Sequence, residues 1–218
     1  MLNLTPEQLL TTSRSARKRF DFQRPVDLEV IRECIESALS TPSNLPLPTW
    51  QFVVITDPDK KDKFAQLYRR AWDNHYRNLP NSIYTYTPDN EEARLTQQQL
   101  IESLEYLRDH LQQMPVLVIP CYAGRVDSSS NMNTLMTSPY GASLPAVWNF
   151  IQAARSRGLE CAWTTSHLFL EQEAARLLKI PYEKMTQCCL LPLAYPIGVE
   201  FKTTSRKNID EVIHLNGW

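Results

Sequence analysis

The sequence has no long hydrophobic run. Its best apolar stretch, Leu190 to Val199, is broken by Pro192 and Pro196, and it is about half of the roughly 20 apolar residues that a membrane-crossing helix needs. The opening MLNLTPEQLL lacks the basic start and apolar core of a secretion signal. An excess of charge of one sign is also missing: 23 Lys and Arg stand against 24 Asp and Glu, for a net charge of −1. A nucleic-acid protein would show a basic surplus. Glycine is scarce at five residues while proline is ample at 15, which fits neither a collagen-like nor a low-complexity chain. The expectation is a cytoplasmic protein that partners neither nucleic acid nor membrane.

Other familiar signatures are absent too. The five cysteines (Cys34, Cys121, Cys161, Cys188, Cys189) are odd in number and show no CxxC spacing. A secreted disulfide framework would use an even set in loops, and a zinc site would pair them closely. The adjacent Cys188 and Cys189 read either as buried small hydrophobes or as a redox pair. The four histidines form no HxxxH or HExxH, so no metal site is signalled. GxSxG, the P-loop and GxGxxG are all missing, which removes the common hydrolase, nucleotide-triphosphatase and Rossmann patterns.

What is present suits one domain spanning 1–218, since 218 residues at 43% hydrophobic content are enough for a single core. Thr5-Pro6-Glu7-Gln8 is a capping box that opens a short helix to about Thr12. Asp27 caps a second helix with Leu28, Ile31, Ile35, Ala38 and Leu39 at helical period. Trp50 to Thr56 reads as a strand, and Asp57-Pro58 opens a long helix carrying Phe64, Leu67, Tyr68, Ala71 and Trp72. Glu91 to Gln113 is helical with Leu100, Leu104, Leu107 and Leu111 inward, and Val116 to Cys121 is a second strand. A helix enters after Pro145 and ends at Gly158; strands follow at Cys161 to Thr165, Gln187 to Tyr195 and Glu211 to Leu215, with a helix over Glu171 to Lys179. Two polar excursions, near 73–90 and 125–139, read as lids or loops. Alternation of helices with apolar strands predicts an α/β layered sandwich covered on both faces.

Three segments can carry chemistry. RSARKRF, Arg14 to Phe20, places four cations around Ser15; arginine forks and a hydroxyl suit a phosphate monoester, although a run of this kind by itself is more often a solvated basic face. Thr41-Pro42-Ser43-Asn44, followed by Pro46 and Pro48, is a rigid loop suited to close approach to a planar ligand, or a plain connector. Ala162-Trp163-Thr164-Thr165 ends a strand, where N–H groups and hydroxyls can meet a ring edge or simply favour strand structure.

Taken in order, RSARKRFDFQRPVDLEVIRECIESALSTPSN and WQFVVITDPDKKDKFAQLYRRAW resemble the opening of the FMN-dependent nitroreductase family. PVLVIPCYAGR, SLPAVWNFIQAARSRGLECAWTTSHL and CCLLPLAYPIGVEFKTTSRKNIDEVI resemble its second half. The resemblance implies an α+β layered sandwich, a mixed central sheet flanked by helices, and an intertwined homodimer with FMN at its interface. It assigns Arg14, Ser15, Arg17 and Arg206 to the FMN phosphate, and Pro42 and Ser43 to a loop laid on the flavin by the partner subunit. Trp163, Thr164 and Thr165 fall near the ring's N5 edge, and Gly141 to Pro145 on a loop at the ring. NAD(P)H is the implied reductant and the acceptor an electron-poor small molecule (nitroaromatic, quinone or enone), in a ping-pong cycle. Hydride chemistry belongs to the flavin, which fits the lack of an acid–base set. Pro46 and Pro48 depart from the family's Asn and Gln or Glu, and proline offers no N–H donor. The alternatives are a reductive dehalogenase of the same superfamily, or a flavin-binding or interaction protein without turnover.

Overall fold

Alternation along one strand divides the core into two layers. The computed structural model describes residues 3–42, 50–80, 82–125, 132–198 and 212–217, without the side chains of 132–140 and 142. In β2 (Val116–Ala123), Leu117, Ile119 and Cys121 point into one buried cluster while Val116 and Val118 point into the other. A strand covered on both faces must be apolar throughout, which is why it reads as an unbroken run. On one side β2 pairs with β1 (Trp50–Ile55), with Trp50 opposite Tyr122 and Ile55 opposite Leu117. On its other side lie β4 (Met185–Gln187) and β5 (Leu191–Ala194), and β5 in turn pairs with β3 (Glu160–Cys161).

Every pairing among the described residues is antiparallel, so the parallel member of the expected mixed sheet does not occur among them. The single strand expected over Gln187 to Tyr195 is two short ones. Cys188 donates to the Pro120 carbonyl at 2.8 Å, but proline has no N–H to return the bond, and the ladder lapses there. Leu190 turns to Thr164 instead, exchanging both backbone bonds with it at 2.8 and 3.1 Å. The strand expected over Cys161 to Thr165 is therefore β3 plus that single bridge. Residue 211 lies outside the described residues, and Val212 to Leu215, whose side chains are exposed, form no strand.

Helices cover both faces. α3 (Pro58–Asn74), α4 (Glu91–His110) and α6 (Glu171–Leu178) contribute to the first cluster, through Phe64, Tyr68, Trp72, Leu107, Ala174 and Ala175. α2 (Leu28–Leu39) and α5 (Met132–Ser156) build the second, with Ile31, Cys34 and Ala38 against Val147, Phe150 and Ala154. The caps of the first three helices are those the sequence predicts. Thr5 and Gln8 form a reciprocal box at α1 (Pro6–Thr11), and Asp27 and Asp57 accept from the first turns of α2 and α3; Asn90, not singled out from the sequence, caps α4 in the same way.

Other expectations need correcting. α5 starts at Met132, so the second excursion is helical from there and both Pro139 and Pro145 lie inside a helix. Each proline costs its own N–H bond and a bend, and packing against α2 sustains the helix through the second half. Leu100 is exposed; the early turns of α4 reach past the core, where Gln97 donates to the Ile83 and Tyr86 carbonyls at 2.6 and 2.8 Å and ties the first excursion down. Trp72 lies in the core, as its place on the apolar face of the long helix predicts: it is 1% exposed, with the Tyr76 and Tyr84 rings at 4.5 and 6.2 Å. All five cysteines are free and buried, and burial pushes the Cys188 thiol up to about 11, which suits the small-hydrophobe reading rather than a redox pair. Among the described residues no helix is long and apolar enough to cross a membrane, and no His, Cys, Asp and Glu group is arranged to hold a metal.

Candidate functional site

After α1 the basic segment crosses the ends of the sheet and is pinned at both sides. Ala16 donates to the Cys161 carbonyl at 3.2 Å, Ile197 donates to that of Arg19 at 2.7 Å, and the buried Phe20 bridges to Pro196. Around these anchors, Arg14, Ser15, Arg17, Lys18 and Arg19 line a cleft of about 240 Å³ with Thr12, Ser103 and Glu160. Their electrostatics differ. Lys18 pairs with Glu102 at 3.2 Å in an exposed bridge, whereas Arg17 is half-buried and pairs with no carboxylate among the described residues. Burial lowers its pKa, with the Tyr68 and Tyr76 hydroxyls acting in the opposite sense. A guanidinium held out of water without a counter-charge is a cost that a bound anion relieves. Glu160 works the other way: burial holds its carboxyl above the usual range, opposed only in part by Arg155, 3.7 Å away, and by Arg19.

The strand end beside this cleft sorts its three residues by face. Trp163 packs against the α2 and α5 cluster. Thr164 faces the other layer, its Oγ1 2.7 Å from the Tyr68 hydroxyl. Thr165 is exposed, at the start of a 3-10 turn over Ser166–Leu170. Ala16 and Thr164 are thus joined through the β3 end, and both lie against Tyr68: Thr164 by its hydroxyl contact, Ala16 by packing on the cluster to which Tyr68 belongs. Pro42 is exposed at the end of α2, beside Thr41, whose hydroxyl accepts from Asn149 at 2.7 Å, and it does not line the cleft. Ser43, Pro46, Pro48 and Arg206 lie outside the described residues. Gly141 and Pro145 are exposed on α5.

Sequence reasoning missed the polar side chains underneath. His167 is fully buried beside Phe64, its ring nitrogens without a hydrogen-bond partner among the described residues, and Ser143, Ser166 and the Gln187 Oε1 are likewise unpaired. Desolvation pushes the His167 imidazole down to about 3, with Gln187 the one side chain opposing it. Its unfolded value is about 6.5, so the unfolded chain binds the extra proton first. Stability present above pH ~6.5 is lost as pH falls from there towards the folded value, by about 1.4 kcal/mol per unit. Between pH 7 and pH 4.5 the parent should lose about 2–3 kcal/mol more than His167→Leu, as read from urea midpoints at both pH values. Equal losses would mean that His167 titrates normally.

The sequence profile described as "Nitroreductase family" matches residues 10–195. Iodotyrosine deiodinase 1 of Rattus norvegicus is 26% identical over 211 residues, covering 94% of this chain and 67% of the relative. Among solved structures, an iodotyrosine deiodinase bound to FMN and 3-iodo-L-tyrosine aligns with a TM-score of 0.71 at 19% identity, over 96% of this chain and 98% of that one. A BluB-like flavoprotein from Clostridium difficile 630 gives 0.69 at 19%, over 98% and 99%. The NADPH:FMN oxidoreductase of Vibrio harveyi gives 0.66 at 16%, over 97% and 76%. The structural matches establish the shared fold, and the profile spans the basic loop, both core layers and the Thr164 strand end, so the chain belongs to the nitroreductase family.

Proposed function

We propose that this chain is an FMN-dependent oxidoreductase that takes a hydride from NAD(P)H and delivers it to an electron-poor small molecule. It acts as one domain within a cytoplasmic homodimer. The observation that carries the reading is Arg17, a half-buried cation with no carboxylate partner among the described residues, in a cleft with Arg14 and Ser15. A phosphate monoester has close to two negative charges and three acceptor oxygens, which suits two guanidinium forks and a hydroxyl. FMN, when bound, supplies hydride transfer at N5. Arg14, Ser15 and Arg17 hold its phosphate, joined by Arg206 on the strength of the resemblance. Trp163, Thr164 and Thr165 back the ring end, and donors fixed there favour negative charge on the ring. Pro42 and Ser43 reach the site of the partner subunit. The dimer is supported by α5, which exposes Leu144 and Trp148, because large apolar side chains displayed on one face mark an interface.

A second reading, reductive dehalogenation of a halogenated aromatic, is favoured by the 26% identity with the rat deiodinase. Both readings meet the same first experiment: an absorption spectrum of the purified protein, repeated after anaerobic NADH or NADPH, then with a quinone, a nitroaromatic or 3-iodo-L-tyrosine as acceptor. A yellow protein that bleaches and is reoxidised by one of these supports the reading and names the acceptor class. A colourless protein that FMN does not reconstitute overturns it.

A further inference from the structure

We propose that Tyr68 is the positioning residue that holds the two ends of the cofactor site in register, fixing Thr164 on the ring side while lying in the cluster that supports the Ala16–Arg17 loop on the phosphate side. The inference rests on the FMN reading above. Tyr68 sits on the sheet-facing side of α3, 1% exposed, where a phenol needs a partner for its hydroxyl. That partner is the Thr164 Oγ1 at 2.7 Å. Thr164 is the residue at which the β3 strand end closes back on Leu190, through backbone bonds of 3.1 and 2.8 Å. The hydroxyl pair therefore joins α3 to the Thr164–Leu190 bridge at this strand end.

The same side chain belongs to the cluster against which Ala16 of the basic loop packs. Burial raises the Tyr68 pKa, and Thr164, Ser166 and Arg17 oppose that rise, while Tyr76 adds to it; Tyr68 and Tyr76 are also the groups that counter the burial of Arg17. The groups around the hydroxyl are thus Thr164 and Ser166 from the strand end and turn, Arg17 from the loop and Tyr76 beyond α3. Ala16, next to Arg17, is bonded to Cys161 at 3.2 Å, which ties the loop to the same strand end. Tyr68 itself is buried and acts through its neighbours. With its hydroxyl committed to Tyr68, Thr164 serves as framework, and the exposed Thr165 is the threonine available to a ligand.

The test is titration of the apoprotein with FMN and with riboflavin, which lacks the phosphate, followed by flavin fluorescence, alongside thermal unfolding without flavin. Tyr68→Phe keeps the ring in the core and removes only the hydroxyl; Thr164→Val removes the other half of the pair. The expected result is about tenfold weaker binding of both flavins in either variant, as for loss of one hydrogen bond worth about 1.4 kcal/mol. The double variant should be no weaker than either single one, because the two share one interaction. Unchanged affinities with a lowered unfolding temperature would overturn the inference and leave Tyr68 as core packing. Fully additive losses would overturn it too. A parent protein that binds neither flavin would instead overturn the FMN reading itself, and this inference with it.

Discussion

Replacing Arg17 by alanine weakens FMN binding by about 10- to 100-fold and leaves riboflavin binding unchanged. A hydrogen bond to a charged group contributes about 1.5–3 kcal/mol, and each 1.4 kcal/mol is about a factor of ten. Arg17 is singled out from its neighbours by position. Lys18 already pairs with Glu102 and Arg14 is exposed, so water and salt screen what either contributes. Arg17 is half-buried, and its interaction with a phosphate is screened less. The Arg17 term should therefore persist when salt is raised, whereas a Lys18→Ala loss, if any, should shrink. Fluorescence titration with both flavins at low and high salt reads all of this. Equal FMN affinity in Arg17→Ala and the parent would remove the phosphate assignment.

Local signals made much of this structure legible. Thr5 and Gln8, Asp27 and Asp57 announce helix starts because a cap is a contact between residues two or three apart. The basic loop stood out because its cations are crowded into one short segment. What sequence concealed lies between distant segments. The Tyr68–Thr164 pair spans 96 residues, so nothing in AWTT tells which threonine turns inward. The lapse between β4 and β5 is caused by Pro120 on another strand, and is invisible within CCLLPLA itself. Pro145 reads as a helix start and Pro139 as the end of a loop, yet both are carried inside α5, along whose later turns α2 packs. His167 offered only an isolated histidine, and its burial is a property of the assembled layers.

Arg125→Ala is the substitution expected to damage the frame most. The Arg125 guanidinium meets both Glu171 carboxylate oxygens at 3.0 Å, donates to the Met185 carbonyl at 2.9 Å and to the Tyr182 hydroxyl at 3.1 Å, and stacks on the Tyr182 ring. Glu171 also accepts from the Gln187 backbone at 2.8 Å, so one carboxylate ties the end of β2 and the start of α6 to β4. The two side chains are only 9% and 14% exposed. Removing one partner leaves the other charge buried, which costs about 3–5 kcal/mol. At about 2–4 °C per kcal/mol for a domain of this size, the Tm should fall by about 6–20 °C. The loss should come from the orphaned charge rather than from a large net worth of the pair. Arg125→Met combined with Glu171→Gln should therefore recover most of it, and a double-mutant cycle on Tm measures the coupling. A fall of less than about 2 °C in Arg125→Ala would mean that solvent already compensates the pair. Below its Tm, Arg125→Ala should still bind FMN as the parent does. That sets it against Arg17→Ala, which should keep its Tm and lose the cofactor. One arginine is satisfied by the protein and holds its frame; the other is left for a ligand.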